Sequence, residues 1–142
     1  MDGNFEENRS YRLVDIFSGR GLGYEVYSNY DYLIETSGEG STFNFESVRY
    51  ELLGNRFYKI RVNGGNWGGY NYLTLADSGW VYLDTKENAT VWHTQRIGVD
   101  LAKFQFSQGG IEKGRYLGYI QQGNKKWLAA TDYGNAKSFK LV

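Results

Sequence analysis

An enzyme needs reactive groups that converge, and few residue types in this chain can supply them. His93 is the only imidazole in the 142 residues, and there is no Cys. A Ser-His-Asp triad or a zinc cluster therefore has one candidate His, and a thiolate nucleophile has no candidate at all. His93 adjoins Trp92 on an alternating stretch. Its side chain should point away from that tryptophan, which reads as a structural or solvent-facing role. Carboxylates are plentiful, but a glycosidase pair is defined by a separation in space that sequence does not carry. The expectation is no enzyme, no metal and no cofactor. Gly19-Arg20-Gly21-Leu22-Gly23 has the glycines of a phosphate cradle. Such a cradle opens a helix, whereas Tyr24-Glu25-Val26-Tyr27 alternates as a strand, so a hairpin turn is expected. Asn8-Arg9-Ser10 and Asn88-Ala89-Thr90 match the glycosylation sequon and are read as chance matches.

The chemistry on offer is recognition. In Val62-Asn63-Gly64-Gly65-Asn66-Trp67-Gly68-Gly69-Tyr70-Asn71-Tyr72, four glycines flank one tryptophan and leave little bulk to cover its indole. A ring on such a loop can stack on the C–H face of a sugar, with amides at hand for the hydroxyls. Asn66, Trp67, Tyr70 and Asn71 are the candidates. The competing reading folds Trp67 back over the body of the domain. Trp80, Asp84 and Asn88 form a second group of aromatic and polar residues. Trp127, Asp132, Tyr133 and Asn135, preceded by Asn124 and Lys126, form a third. For both groups the competing reading is hairpin turn chemistry with half-buried aromatics.

Elements must position these groups, and composition says which kind. Gly makes up 19 of 142 residues, near twice the usual share, and there are 4 Trp, 13 Tyr and 8 Phe but no Pro. Aromatics favour pleated strands and Gly supplies the turns between them, so an all-β domain is expected. Sixteen Lys plus Arg balance sixteen Asp plus Glu, which gives nucleic-acid binding no support. No apolar run reaches the roughly 18–20 residues of a membrane span. The acidic start Met1-Asp2-Gly3-Asn4-Phe5-Glu6-Glu7 is unlike a secretory signal peptide. The expected location is cytoplasmic, or outside by a route without that signal.

The chain repeats itself three times. Ser41-Thr42-Phe43-Asn44-Phe45, Thr90-Val91-Trp92-His93-Thr94 and Lys137-Ser138-Phe139-Lys140-Leu141 end alike, with anchors Phe43, Trp92 and Phe139 spaced by 49 and 47 residues. Ile34, Leu83 and Ala130 keep the same spacing. Leu13, Ile60 and Phe104, near the starts of the units, are spaced by 47 and 44. Each unit holds about four alternating strands bounded by Gly, Asn, Asp and Ser. The units run over about 8–48, 49–97 and 98–142 within one domain, 1–142. One unit cannot bury its aromatic face alone, but three around an axis can, and closure removes the sheet edges. The expected fold is a β-trefoil, a six-strand barrel capped by three hairpins. An up-and-down barrel would lack the threefold period. Val81, Leu83, Trp92, Leu128 and Phe139 are read as core.

Tyr70-Asn71-Tyr72-Leu73-Thr74-Leu75 through Val81-Tyr82-Leu83 to Trp92, echoed by Arg115-Tyr116-Leu117-Gly118-Tyr119 through Phe139, resembles the repeat of β-trefoil proteins of the agglutinin and fascin-like kind. The likeness covers nearly the whole chain and lies in core positions. Ricin-type lectin repeats close on Gln-x-Trp and carry an Asp in the second strand. Here the closing triplets are Ser41-Thr42-Phe43, Thr90-Val91-Trp92 and Lys137-Ser138-Phe139, and the second-strand position of the middle unit is Thr74. The ricin-type site therefore does not carry over. The expectation is a non-enzymatic carbohydrate-binding module for glycans or glycoproteins. Its alternative is a protein-binding trefoil: a protease inhibitor, a cytoskeletal binder or the adhesion component of a toxin assembly.

Overall fold

The computed structural model describes residues 5–6, 8–50, 54–98, 100–108 and 111–142, with side chains for all of these except 49–50, 54–56, 96, 105–108 and 111–114. Of the acidic opening segment, Phe5 and Glu6 alone fall within them. The described residues form thirteen strands and a single 3-10 turn, Tyr133–Asn135. The strands are β1 Ser10–Tyr11, β2 Leu13–Asp15, β3 Leu22–Tyr27, β4 Tyr30–Glu35, β5 Phe43–Tyr50, β6 Gly54–Val62 and β7 Tyr72–Leu75. They continue with β8 Val81–Asp84, β9 Val91–Arg96, β10 Leu101–Gln108, β11 Ile111–Gln122, β12 Lys125–Thr131 and β13 Phe139–Leu141. No helix among the described residues is long and apolar enough to cross a membrane.

Six of the strand positions close into a barrel. β1 pairs with β5, β5 with β6, β6 with β9, β9 with β10, β10 with β13, and β13 with β2, all antiparallel. The first position counts as two strands because the chain changes neighbours at Arg12, from β5 to β13. Arg12 itself exchanges backbone hydrogen bonds with Val142 at 2.8 and 3.0 Å. The register repeats around the ring. Phe45 faces Ile60, Thr94 faces Phe104 and Leu141 faces Leu13, so Leu13, Ile60 and Phe104 are equivalent, as their spacing predicts. The anchors Phe43, Trp92 and Phe139 face Tyr11, Tyr58 and Ala102 on their other side. Of these twelve residues all except Thr94 and Leu141 belong to the buried apolar core. Each fully buried large side chain stabilises by roughly 1.5–3 kcal/mol. The Trp92 indole N–H is satisfied inside by the Leu73 carbonyl at 3.2 Å. His93, pointing the other way, packs its ring against Phe57 at 5.1 Å.

Three hairpins, β3–β4, β7–β8 and β11–β12, cap the barrel. They join each other in a triangle through the pairs Tyr32 with Tyr82, Trp80 with Ala129, and Trp127 with Ile34. This arrangement is the β-trefoil, and it corrects one column of the repeat. Ile34 is equivalent to Tyr82 and Ala129, not to Leu83 and Ala130, because the loop from the hairpin to the closing anchor is one residue shorter in the first unit. The core residues of the cap are then Leu33, Val81 and Leu128, all wholly buried. The residues before them, Tyr32, Trp80 and Trp127, meet around the axis.

The Gly19–Gly23 run is the turn predicted. Gly19 donates to the Asp15 carbonyl at 2.8 Å and has φ of 72°, and β3 follows directly. A Cβ at Gly21 would overlap the Glu39 carbonyl, so the β4–β5 loop closes against bare backbone there.

Candidate functional site

The hairpin cap concentrates the aromatic residues that the barrel does not bury. Tyr32, Trp80 and Trp127 come one from each hairpin and line a cavity of about 230 Å³ with Tyr27 and Gln122. Tyr27 and Gln122 are also equivalent, each preceding the two-residue turn of its hairpin, since Tyr27 pairs with Tyr30 and Gln122 with Lys125. The second hairpin contributes no such wall. It turns back earlier, with the Ala76 N–H on the Trp80 carbonyl at 2.8 Å and Gly79 on Ala76 at 2.9 Å. The Tyr27 ring stands edge-on to Tyr32 at 5.8 Å and to Trp127 at 6.4 Å. Beside these walls the Lys125 ammonium pairs with the Glu25 carboxylate and lies 5.8 Å from the Trp127 ring centre.

Ring contacts continue outward. Tyr32 packs on Tyr82 at 5.8 Å, Tyr82 on Tyr30 at 5.1 Å, and Tyr30 on Tyr70 at 6.4 Å. A continuous file of aromatics thus runs from the axis to the Gly-rich loop. Burial, and then the Asp84 carboxylate that accepts its O–H at 2.7 Å, push the Tyr82 phenol up.

In that loop Trp67 and Tyr70 are each 40% exposed, so the indole is not folded away. The base of the loop is fixed. Asp31, 1% exposed, accepts the Asn66 backbone N–H at 2.7 Å and its side-chain amide at 2.6 Å. Gly65 donates to the Tyr24 hydroxyl at 2.9 Å, Val62 to the Asn71 carbonyl at 2.8 Å, and Tyr70 to the Trp67 carbonyl at 3.2 Å. Gly64, Gly65 and Gly69 have φ of 150°, 120° and 81°, a path that residues with a Cβ resist. Asn63 anchors the other side, donating to Asn44, Thr42 and Ser10 at 2.7, 3.0 and 3.2 Å. The Asn66 amide N–H group reserved by the sequence reading for a sugar hydroxyl is therefore engaged with Asp31.

The remaining candidates fall into separate places. Trp80 and Trp127 meet in the axial cavity. Asp84 is buried and accepts from Tyr82, from the Thr85 N–H at 2.7 Å and from the Asn88 amide at 3.5 Å. Asp132 caps the 3-10 turn, taking the Asn135 backbone and side-chain N–H groups at 3.0 Å each. Tyr133 projects from that turn, 53% exposed, against Tyr116 at 5.2 Å and under the Lys103 ammonium at 4.3 Å. Asn135 borders a second, more polar cleft of about 540 Å³ with Tyr119, Gln121, Lys126 and Lys137. Asp84, Asn88, Asp132 and Asn135 thus carry turn chemistry. Sequence reasoning missed Tyr27, Tyr30, Tyr32, Tyr82 and Gln122. The signal for Tyr32 was its alignment with Trp80 and Trp127, hidden by the one-residue loop difference. Among the described residues no three His, Cys, Asp or Glu side chains gather as metal ligands would.

Barrel, cap and threefold register define the class: a β-trefoil with an aromatic hairpin cap. No protein-family model and no curated protein sequence matches the chain. Solved structures do match its fold. Alocasin, a protease inhibitor from giant taro, superposes with a TM-score of 0.76 at 12% identity over 97% of this chain and 92% of its own. A variant of the Bauhinia bauhinioides kallikrein inhibitor, complexed with bovine trypsin, gives 0.72 at 22% identity, over 96% and 90%. Lysenin complexed with phosphocholine gives 0.73 at 13% identity, covering 96% of this chain and 45% of lysenin. The chain therefore spans just under half of lysenin's length. At such identities the likeness concerns the fold.

Proposed function

We propose that the chain is a non-enzymatic recognition module that engages a protein partner through the loop 63–71. The observation that carries this reading is the pairing of an exposed Trp67 and Tyr70 with a loop base tied to the buried Asp31. Large aromatics are the commonest binding anchors. A loop held in shape before binding loses less freedom when it docks. Two of the similar folds are protease inhibitors, and one was solved on bovine trypsin, which supports a protein partner. Trypsin's specificity pocket ends in a carboxylate and takes a cation. Loop 63–71 has neither Lys nor Arg, so the partner suited to it offers an apolar slot for a ring. Inhibition assays against trypsin-like and chymotrypsin-like proteases, with pull-downs from lysate in excess free sugar, test this. Binding that survives sugar and drops tenfold or more in Trp67→Ala is the expected result. Partner binding untouched by that substitution rejects it.

Carbohydrate recognition is the second reading, favoured by the open indole between glycines. Its hydrogen bonds would come from the Asn66 carbonyl oxygen, Asn71 and Tyr70. Glycan-array binding with release by free sugar is its signature. No binding at millimolar sugar, with Trp67→Ala unchanged, rejects it.

A further inference from the structure

The cavity on the threefold axis has chemistry that the loop reading does not use, and the two share no lining residue. Four of its five lining side chains are aromatic: Tyr27, Tyr32, Trp80 and Trp127. Tyr27 stands at 86° to Tyr32 and at 65° to Trp127, so the walls meet at steep angles and form a corner. Gln122 is the one amide among them. Aromatic faces carry negative charge density and attract cations. A quaternary ammonium suits such walls, because it has no N–H donors to leave unsatisfied when it leaves water. The volume is also suitable: about 230 Å³, against about 150 Å³ for a cavity that accepts benzene.

Charge beside the cavity points the same way. Lys125 already places its ammonium near the Trp127 ring, with Glu25 as its countercharge. Glu25 pairs across the strands with Tyr32, and Lys125 with Gln122, so this ion pair bridges the first and third hairpins next to the cavity walls. A carboxylate is thus stationed where a bound cation can share it.

We propose that the axial cavity binds a quaternary ammonium group, with Tyr27, Tyr32, Trp80 and Trp127 as the cage and Glu25 as the countercharge. Lys125 competes for both the Trp127 face and the Glu25 carboxylate. The test is calorimetric titration with choline and with 3,3-dimethylbutan-1-ol, its uncharged analogue of the same shape, alongside the indole N–H signals in ¹H–¹⁵N spectra. Choline should bind and shift the Trp80 and Trp127 indole signals, while the alcohol binds at least tenfold more weakly. Trp127→Leu, which keeps an apolar side chain but removes the ring, should weaken choline binding about tenfold. Glu25→Gln should weaken it severalfold, and Lys125→Met should strengthen it. Sedimentation with phosphatidylcholine against phosphatidylglycerol vesicles separates the sources. Binding to the first only assigns the group to a lipid surface, and choline binding without sedimentation assigns it to a soluble ligand. Equal affinity for choline and the alcohol, or unmoved Trp80 and Trp127 signals at tens of millimolar choline, would overturn the proposal whether or not loop 63–71 binds a protein.

Discussion

Asp31 is the residue on which the shape of the projecting loop depends. It is a carboxyl side chain buried within the cap, and the Asn66 donors satisfy it. Hydrogen bonds to a buried charge are worth more than neutral ones, and removing the acceptor strands its donors. Asp31→Ala should therefore cost about 2 kcal/mol by urea denaturation. With Asn66→Ala, the double-mutant cycle should return a coupling of about 1 kcal/mol. A coupling near zero would mean that the loop does not rest on this contact. Glu46 shows a different balance. Burial raises its pKa, but hydrogen bonds from Lys86, Tyr72 and Arg61 outweigh burial and leave it below the usual 4.5. A depressed carboxylate stabilises the fold fully above its unfolded pKa and loses that contribution as pH falls through the folded value. Glu46→Gln should thus be less stable than the parent at pH 7. The gap should shrink as pH falls below about 4.5, as read from urea midpoints across pH.

At the scale of the hairpins, one turn chemistry is written with two different residues. The first and third hairpins both turn in two residues, Ser28-Asn29 and Gly123-Asn124. Ser28 has φ of 59° and Gly123 of 62°, and a two-residue turn with positive φ at its first position favours Gly there. Ser28→Gly should stabilise by about 0.5 kcal/mol, the relief of left-handed strain less the entropy of a glycine. Gly123→Ala should cost about 1 kcal/mol from the backbone alone, because open space surrounds its Cβ position. Calorimetry reads both, and equal signs would contradict the shared geometry. The same equivalence explains what was legible in the sequence. Leu13, Ile60 and Phe104 and the anchors Phe43, Trp92 and Phe139 are dictated by barrel register, so their spacing announced the fold. The cap was not legible in the same way. A one-residue difference in the loops moved Tyr32 out of line with Trp80 and Trp127. Whether Asp84 or Asp132 meets a ligand or a turn N–H depends on side-chain direction, which spacing does not encode. The exposure of Trp67 was legible because glycines on both sides are a local feature that survives without any alignment.

Across the whole molecule the barrel carries stability, which leaves the hairpins and loops free to differ. The three hairpins are unequal, the second turning back at Gly79, yet the six barrel positions keep one register. Closure depends on β13, which pairs with β10 on one side and β2 on the other. Its Phe139 is fully buried, 6.0 Å from Phe104 and 6.5 Å from Tyr119 by ring centres. Two losses can be separated here. Phe139→Ala removes packing but keeps the backbone ladder, and should cost about 3–5 kcal/mol while unfolding stays cooperative. Deleting residues 139–142 removes the ladder as well and exposes the edges of β2 and β10, and unpaired edges recruit other chains. The truncated chain should therefore elute as oligomers in size-exclusion chromatography with light scattering, and its urea transition should broaden. A monomeric truncation with a sharp transition would mean that the barrel does not need its last strand. The threefold closure would then not be what holds the cap residues Tyr32, Trp80 and Trp127 in place.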